Sequence, residues 1–289
     1  MARSPIEVIE EACDTIAACL VCEEQPSPTS HTVVEVTGLD SPEIPAAVAR
    51  YAVAVLAGWV ARDATIAARL AIQGVERRPE VVKLVERIVR PRIDLNANQL
   101  DNWKRTWRNA WIAEVLTHVL FLIHREQTSG FLAGGVLALL RPHPLPKRQG
   151  LDSIAIYGDG DIAILAIGET KATAEYASTR LNEACDIFAG VEEGLYAPDL
   201  IDAIDVLGAV LPDAMQAQVT EVLWRNHRCY LPAIFHQSQF DASTSRDRLA
   251  ALEPVAARKR VVVCEISAFE DFFDAVADAM PAVIEELVV

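Results

Sequence analysis

The run LDSIAIYGDGDIAILAIGETK, from Leu151 to Lys171, constrains the fold more than any other stretch. It predicts two strands, roughly Leu151 to Tyr157 and Asp161 to Lys171, joined by a tight turn at Asp159-Gly160. Asp and Gly accept the positive φ that two-residue hairpin loops require. Side chains alternate across a strand, so Ala163, Leu165, Ile167, Glu169 and Lys171 share one face, and Ile162, Ile164, Ala166 and Thr170 share the other. Both faces stay apolar until the strand's end. That pattern belongs to a strand buried on both sides, and the chain as a whole reads as an α/β protein.

The polar end of this strand predicts a site. With Asp159 and Gly160 as loop residues, Gly158 opposes Asp161 and Asp152 opposes Ile167. Asp152 then shares a face with Glu169 and Lys171, as a diagonal neighbour of Glu169 roughly 7–8 Å away. One metal ion bridges such a gap. Carboxylates bind Mg²⁺, which keeps several waters and accepts phosphate oxygens. A bound metal acidifies water and steadies transition-state charge, and a lysine beside it orients water or offsets negative charge. Asp152, Glu169 and Lys171 are therefore the candidate catalytic residues, with Asp152 and Glu169 as metal ligands. The competing reading is a cross-strand Glu-Lys ion pair at a sheet edge.

Asp152, a hairpin and then Glu169-Thr170-Lys171 resembles the PD-(D/E)XK nuclease superfamily. The Gly-Glu-Thr-Lys wording, the following helix and the chain length look most like the nuclease subunit of the Hachiman anti-phage defence system. The resemblance covers roughly Trp107 to Ser267 and departs from the superfamily's name in having Leu151, not Pro, before Asp152. It implies a restriction-endonuclease-like mixed sheet flanked by helices, with a helix before the hairpin and another after the motif. It implies Mg²⁺ or Mn²⁺ as cofactor, DNA as substrate, and a helicase or ATPase partner that restrains the nuclease. Many members carry an acid on the helix before the hairpin, and Glu114 matches it. The alternative is a non-catalytic interaction subunit that keeps the fold. A nucleotide-dependent enzyme is disfavoured, because the glycines from Gly130 to Gly135 lack the Lys-Ser/Thr ending of a phosphate loop.

Charge argues against indiscriminate nucleic-acid binding. The chain of 289 residues carries a formal net charge of −15, whereas duplex affinity rests on neutralising phosphates. From Glu76 to Arg108, however, nine basic residues outnumber five acids. An acidic chain with such a local stripe is either a nuclease restrained until a partner delivers substrate or a protein whose helices are solvated by charge. No run approaches the ~20 apolar residues of a membrane span, and the N-terminus lacks the apolar core of a signal peptide. A cytoplasmic protein is expected, with its six cysteines reduced. Cys19-x-x-Cys22 has no second pair to complete four zinc ligands, so core thiols are the better account.

Residues 1–100 read as a mainly helical region and 101–289 as the nuclease-like domain. Helices are predicted from Pro5 to about Cys22, from Ser41 to about Ile72, from Glu80 to about Arg90 and from about Asp101 to His124. Between the first two, Glu23 to His31 reads as a loop and Thr32 to Thr37 as a short strand. Glu114 lies mid-helix, one turn from His118, which reads as a satisfied structural histidine. Arg141 to Gly150 reads as a proline-rich connection carrying Arg141, Lys147 and Arg148. Thr173 caps a helix to about Phe188 that bears Arg180, a candidate phosphate contact. Two helices, Asp199 to Leu207 and Pro212 to Trp224, precede strands at Cys229 to His236 and Arg258 to Ile266. Ser267 and Glu270 read as a capping box opening the last helix.

Overall fold

The computed structural model describes residues 5–60, 78–91, 93–124, 130–144, 150–211, 213–219, 227–244 and 246–286. Among these, seven strands form one mixed sheet: β1 (Val21–Gln25), β2 (Thr32–Thr37), β3 (Val136–Leu139), β4 (Ser153–Asp159), β5 (Ile162–Thr173), β6 (Arg228–His236) and β7 (Arg260–Glu265). Their spatial order is β1-β2-β7-β6-β5-β4-β3. The central strands β5, β6, β7 and β2 pair in parallel. Both margins are antiparallel, β1 on β2 at one side and β3-β4-β5 as a meander at the other.

The helices are α1 (Pro5–Cys19), α2 (Ile44–Leu56), α3 (Arg78–Val89), α4 (Ala97–Trp103), α5 (Asn109–Ile123), α6 (Ala177–Glu192), α7 (Ala197–Gly208), α8 (Asp213–Gln216), α9 (Asp247–Ala251) and α10 (Phe269–Glu286). They form two layers, and β5 shows why. Its even-numbered Ile164 and Ala166 join a core with residues of α1, α2, α5 and α10. Its odd-numbered Ala163, Leu165 and Ile167 join a second core with residues of α6 and α7. A strand apolar on both faces is thus covered on both, as its sequence requires. Helix α2 is apolar nearly all round because it packs between α1 and α10.

Several elements differ from the sequence reading. The first helix stops at Cys19, and the stretch read as a loop contributes β1. Its polar run Val21–Gln25 hides as an edge strand, half in solvent, with no apolar alternation to betray it. β3 was unforeseen for a similar reason, being a four-residue edge strand. The helix before the hairpin begins at Ala97, where Asn96 and Gln99 form a reciprocal capping box, and passes through a π turn (Lys104–Arg108) into α5. Ser267 donates its hydroxyl to Asp40 (2.6 Å) and Glu270 accepts from Asn109 (3.1 Å), so this pair is no capping box. The second helix begins at Ile44, not Ser41, and stops at Leu56, where the chain turns through Gly58 at φ +73°, well short of the predicted Ile72. Of the predicted Pro212 to Trp224 helix only Asp213–Gln216 is helical among the described residues. Ile72, Pro212 and Trp224 lie outside the described residues, as do Arg77, Arg92, Lys147 and Arg148.

Three residues of the basic stripe are answered by α10. Lys104 binds Asp274 (2.8 Å), Arg108 binds the same carboxylate, and Arg78 binds Glu285 (2.8 Å). All six cysteines are free thiols. Cys22 Sγ lies 3.0 Å from His124 Nε2, while Cys19 Sγ accepts from the Ser41 hydroxyl at 3.5 Å, so the two do not converge. No described helix is long and apolar enough to cross a membrane.

Candidate active site

The site forms where β5 outruns β4. Their last paired residues are Ser153 and Gly168, so Glu169 to Thr173 continue with only β6 beside them. The hairpin loop is Gly160-Asp161, since Asp159 pairs with Ile162, and Gly160 takes φ +61°. The expected turn at Asp159-Gly160 is therefore displaced by one residue. That displacement moves the register by two, which preserves the face of every side chain. Continuing the ladder sets Asp152 directly opposite Glu169 instead of diagonal to it.

Asp152 occupies the place a further β4 residue would take. Its Oδ2 accepts the Thr170 backbone N–H at 2.7 Å, satisfying a donor that the missing strand leaves open. Glu169 is buried, 5% exposed. Its Oε1 accepts from the Lys171 ammonium at 2.7 Å, while its Oε2 is buried with no partner. A polar atom left so costs about 1–3 kcal/mol. On the other face, the Thr170 hydroxyl donates to the Thr117 hydroxyl (3.0 Å), which fastens β5 to α5 one turn from Glu114. Gly168 keeps this corner tight: a Cβ there would stand 3.1 Å from Ser153 Cβ.

Electrostatics bind the four residues into one unit. Burial, then repulsion from Glu169 and Glu114, holds the Asp152 carboxyl well above the usual range. Burial likewise raises Glu169, against the pull of Lys171. Burial and the Glu169 charge push Glu114 up to about 8. Burial alone would lower Lys171, but Glu169, Asp152 and Glu183 outweigh it and raise the ammonium. Carboxyls that resist ionisation while crowded round one ammonium form an acidic pocket short of positive charge.

The structure thus brings Asp152, Glu169, Lys171 and Glu114 within electrostatic reach of one another. Among the described residues, no group of three or more His, Cys, Asp or Glu side chains is placed to hold a metal ion. Two carboxylates are the usual protein share of a Mg²⁺ shell, the rest being water and phosphate. Arg180 is turned to Glu183 (2.7 Å), a residue of α6 that the sequence reading passed over because an exposed helix glutamate carries no local signal. His118 is structural. Its Nε2 donates to the Leu140 carbonyl (3.0 Å), so Nδ1 accepts from Tyr51 (2.7 Å), and burial lowers its pKa to about 4. No protein-family model matches the chain, and no curated protein matches it either.

Proposed function

We propose that the protein is a metal-dependent DNA nuclease, with Asp152, Glu169 and Lys171 as its catalytic residues and Glu114 in support. One observation carries the reading. The partnerless Glu169 Oε2 is buried on the face that Asp152 shares across the end of β5, in a pocket short of positive charge. Hard oxygen donors with an orphaned atom fit a divalent cation such as Mg²⁺ or Mn²⁺. Asp152 and Glu169 would hold it, and when bound it supplies a Lewis acid that acidifies water and offsets phosphate charge.

The chain's own residues divide the remaining work. Lys171 stays an ammonium, because its neighbours raise its pKa, so it offsets charge on a phosphate and does not serve as a base. Glu114 holds a proton at neutral pH and can give it up to a departing oxygen. Asp152 is held by the Thr170 amide through one oxygen, which leaves the other to face a ligand.

The order of elements supports a restriction-endonuclease-like fold: helix α5, the β3-β4-β5 meander, helix α6, then parallel β6. On that footing the protein acts as the effector of a bacterial anti-phage defence system, restrained by a helicase or ATPase partner. The satisfied Lys171–Glu169 ion pair favours a second reading, a non-catalytic subunit that keeps the fold. Cleavage of supercoiled and linear DNA in Mg²⁺ and in EDTA tests the two. Metal-dependent cutting by the wild type that Glu169→Ala and Lys171→Ala both abolish is the expected outcome. Cutting that survives in both variants rejects the site. Silence of all three, alone and with a co-purified partner, favours the second reading.

A further inference from the structure

We propose that the groove along the β3 edge docks a short amphipathic helix of a partner protein, apolar toward the groove and flanked by lysine or arginine. The groove encloses about 910 Å³ between α1 on one side of the sheet and α7 on the other. That volume matches roughly two turns of a helix about 10 Å across.

Both walls carry more apolar surface than this chain buries. Helix α7 turns Leu200, Ala203, Ile204 and Leu207 into the core, a complete stripe at helical spacing. Val206 and, just past the helix end, Val210 add a second apolar row that lines the groove and stays 37% and 61% exposed. Helix α1 repeats the arrangement. Val8, Ala12 and Ile16 are buried, while Ile6, 64% exposed, faces the groove.

Charge selects the occupant. Exposed Glu10 stands on one wall and exposed Asp199 and Asp202 on the other, against one arginine of the lining, Arg141, so the groove stays net negative. Three carboxylates flanking an apolar floor complement a helix with an apolar stripe and basic edges. A second copy of this chain, at net −15, is a poor match. A partner strand is disfavoured too, because β3 is four residues long and its pairing with β4 shifts between Val136 and Ala138. Short, irregular edges resist strand addition.

The groove also reaches the candidate site. His118 and Leu122 of α5 line it, one and two turns beyond Glu114, and Leu151 at its inner end precedes Asp152. An occupant would therefore press on two elements that carry the acids. The docking itself stands on the groove and needs nothing of the cleavage reading.

The test uses the full chain and a labelled fourteen-residue peptide of leucine and lysine, with the leucines spaced along one helical face. Fluorescence anisotropy should show binding at least tenfold tighter than to a scrambled peptide of the same composition. Val206→Lys and Asp202→Lys should each weaken it at least fivefold, and Glu43→Lys, an exposed acid outside the groove, less than twofold. Both groove positions are exposed, so these variants should melt with the wild type. Equal binding of the scrambled peptide, or wild-type binding by both groove variants, overturns the proposal. So does a concentration-dependent dimer in sedimentation velocity that Val206→Lys disperses, which would assign the groove to a second copy.

Discussion

At the scale of single residues, the site is an arrangement of protons as much as of ligands. Glu114 shows the consequence most directly. Its carboxyl rises from 4.5 to about 8 on folding, so the folded chain binds that proton more tightly than the unfolded chain does. The stability this contributes is full below pH 4.5 and is lost as pH climbs through 8. Glu114→Gln keeps a neutral side chain at every pH. It should match the wild type near pH 4.5 and exceed it at pH 9, by on the order of 2 kcal/mol once partial exposure is discounted. Urea melts at both pH values measure this. A difference that does not grow with pH would mean that Glu114 ionises freely in the folded state.

At the scale of elements, the site depends on β4 stopping where β5 does not. Gly168 faces Ser153 at that boundary, the last pair of the two strands. Gly168→Ala would bring a new Cβ to 3.1 Å from Ser153 Cβ, an atom fixed to the β4 backbone. The first residue of β4 must then shift, and Asp152 with it. The expected loss is about 1–2 kcal/mol, and Ser153→Gly on top of Gly168→Ala should recover most of it. Denaturation of the two single variants and the double variant closes the cycle, and simple additivity would remove the contact from the account. The existence of both strands was readable from two short apolar runs flanking a turn signal. The turn was not, because Asp159, Gly160 and Asp161 offer two adjacent loop choices of similar chemistry. The error was harmless to the site, since a register change of two leaves each side chain on its face.

At the scale of the whole molecule, the sheet gathers segments that are far apart in sequence. Residues 32–36 pair in parallel with residues 260–264, and α1 and α2 bury their apolar faces in the same core as α10. A fragment spanning residues 101–289 would leave β7 as an open edge and expose α10. It should therefore show no cooperative melt in calorimetry, whereas the full chain should. A sharp transition for the fragment would make residues 1–100 a separate domain. The same long-range assembly takes up part of the basic stripe. Lys104, Arg108 and Arg78 meet acids of α10 some 170 to 210 residues onward, so that share of the local positive charge is paired within the fold.

The sequence by itself determined that β5 is covered on both faces, that its apolar run ends in Glu169 and Lys171 on one face, and that Asp152 lies in phase with them. The first two follow from the twofold repeat of a strand, which is a local property; the third also needed a two-residue turn, which either loop choice supplies. Only the tertiary structure decided that Asp152 stands opposite Glu169, tied to the Thr170 amide, and that Glu114 approaches from α5. It alone placed β1 and β3 at the sheet margins and left Glu169 Oε2 without a partner. Edge strands carry too little alternation to be read, and the burial of a carboxylate depends on which distant helices close over it. Such contacts arise from packing between elements, and no spacing along the chain encodes them.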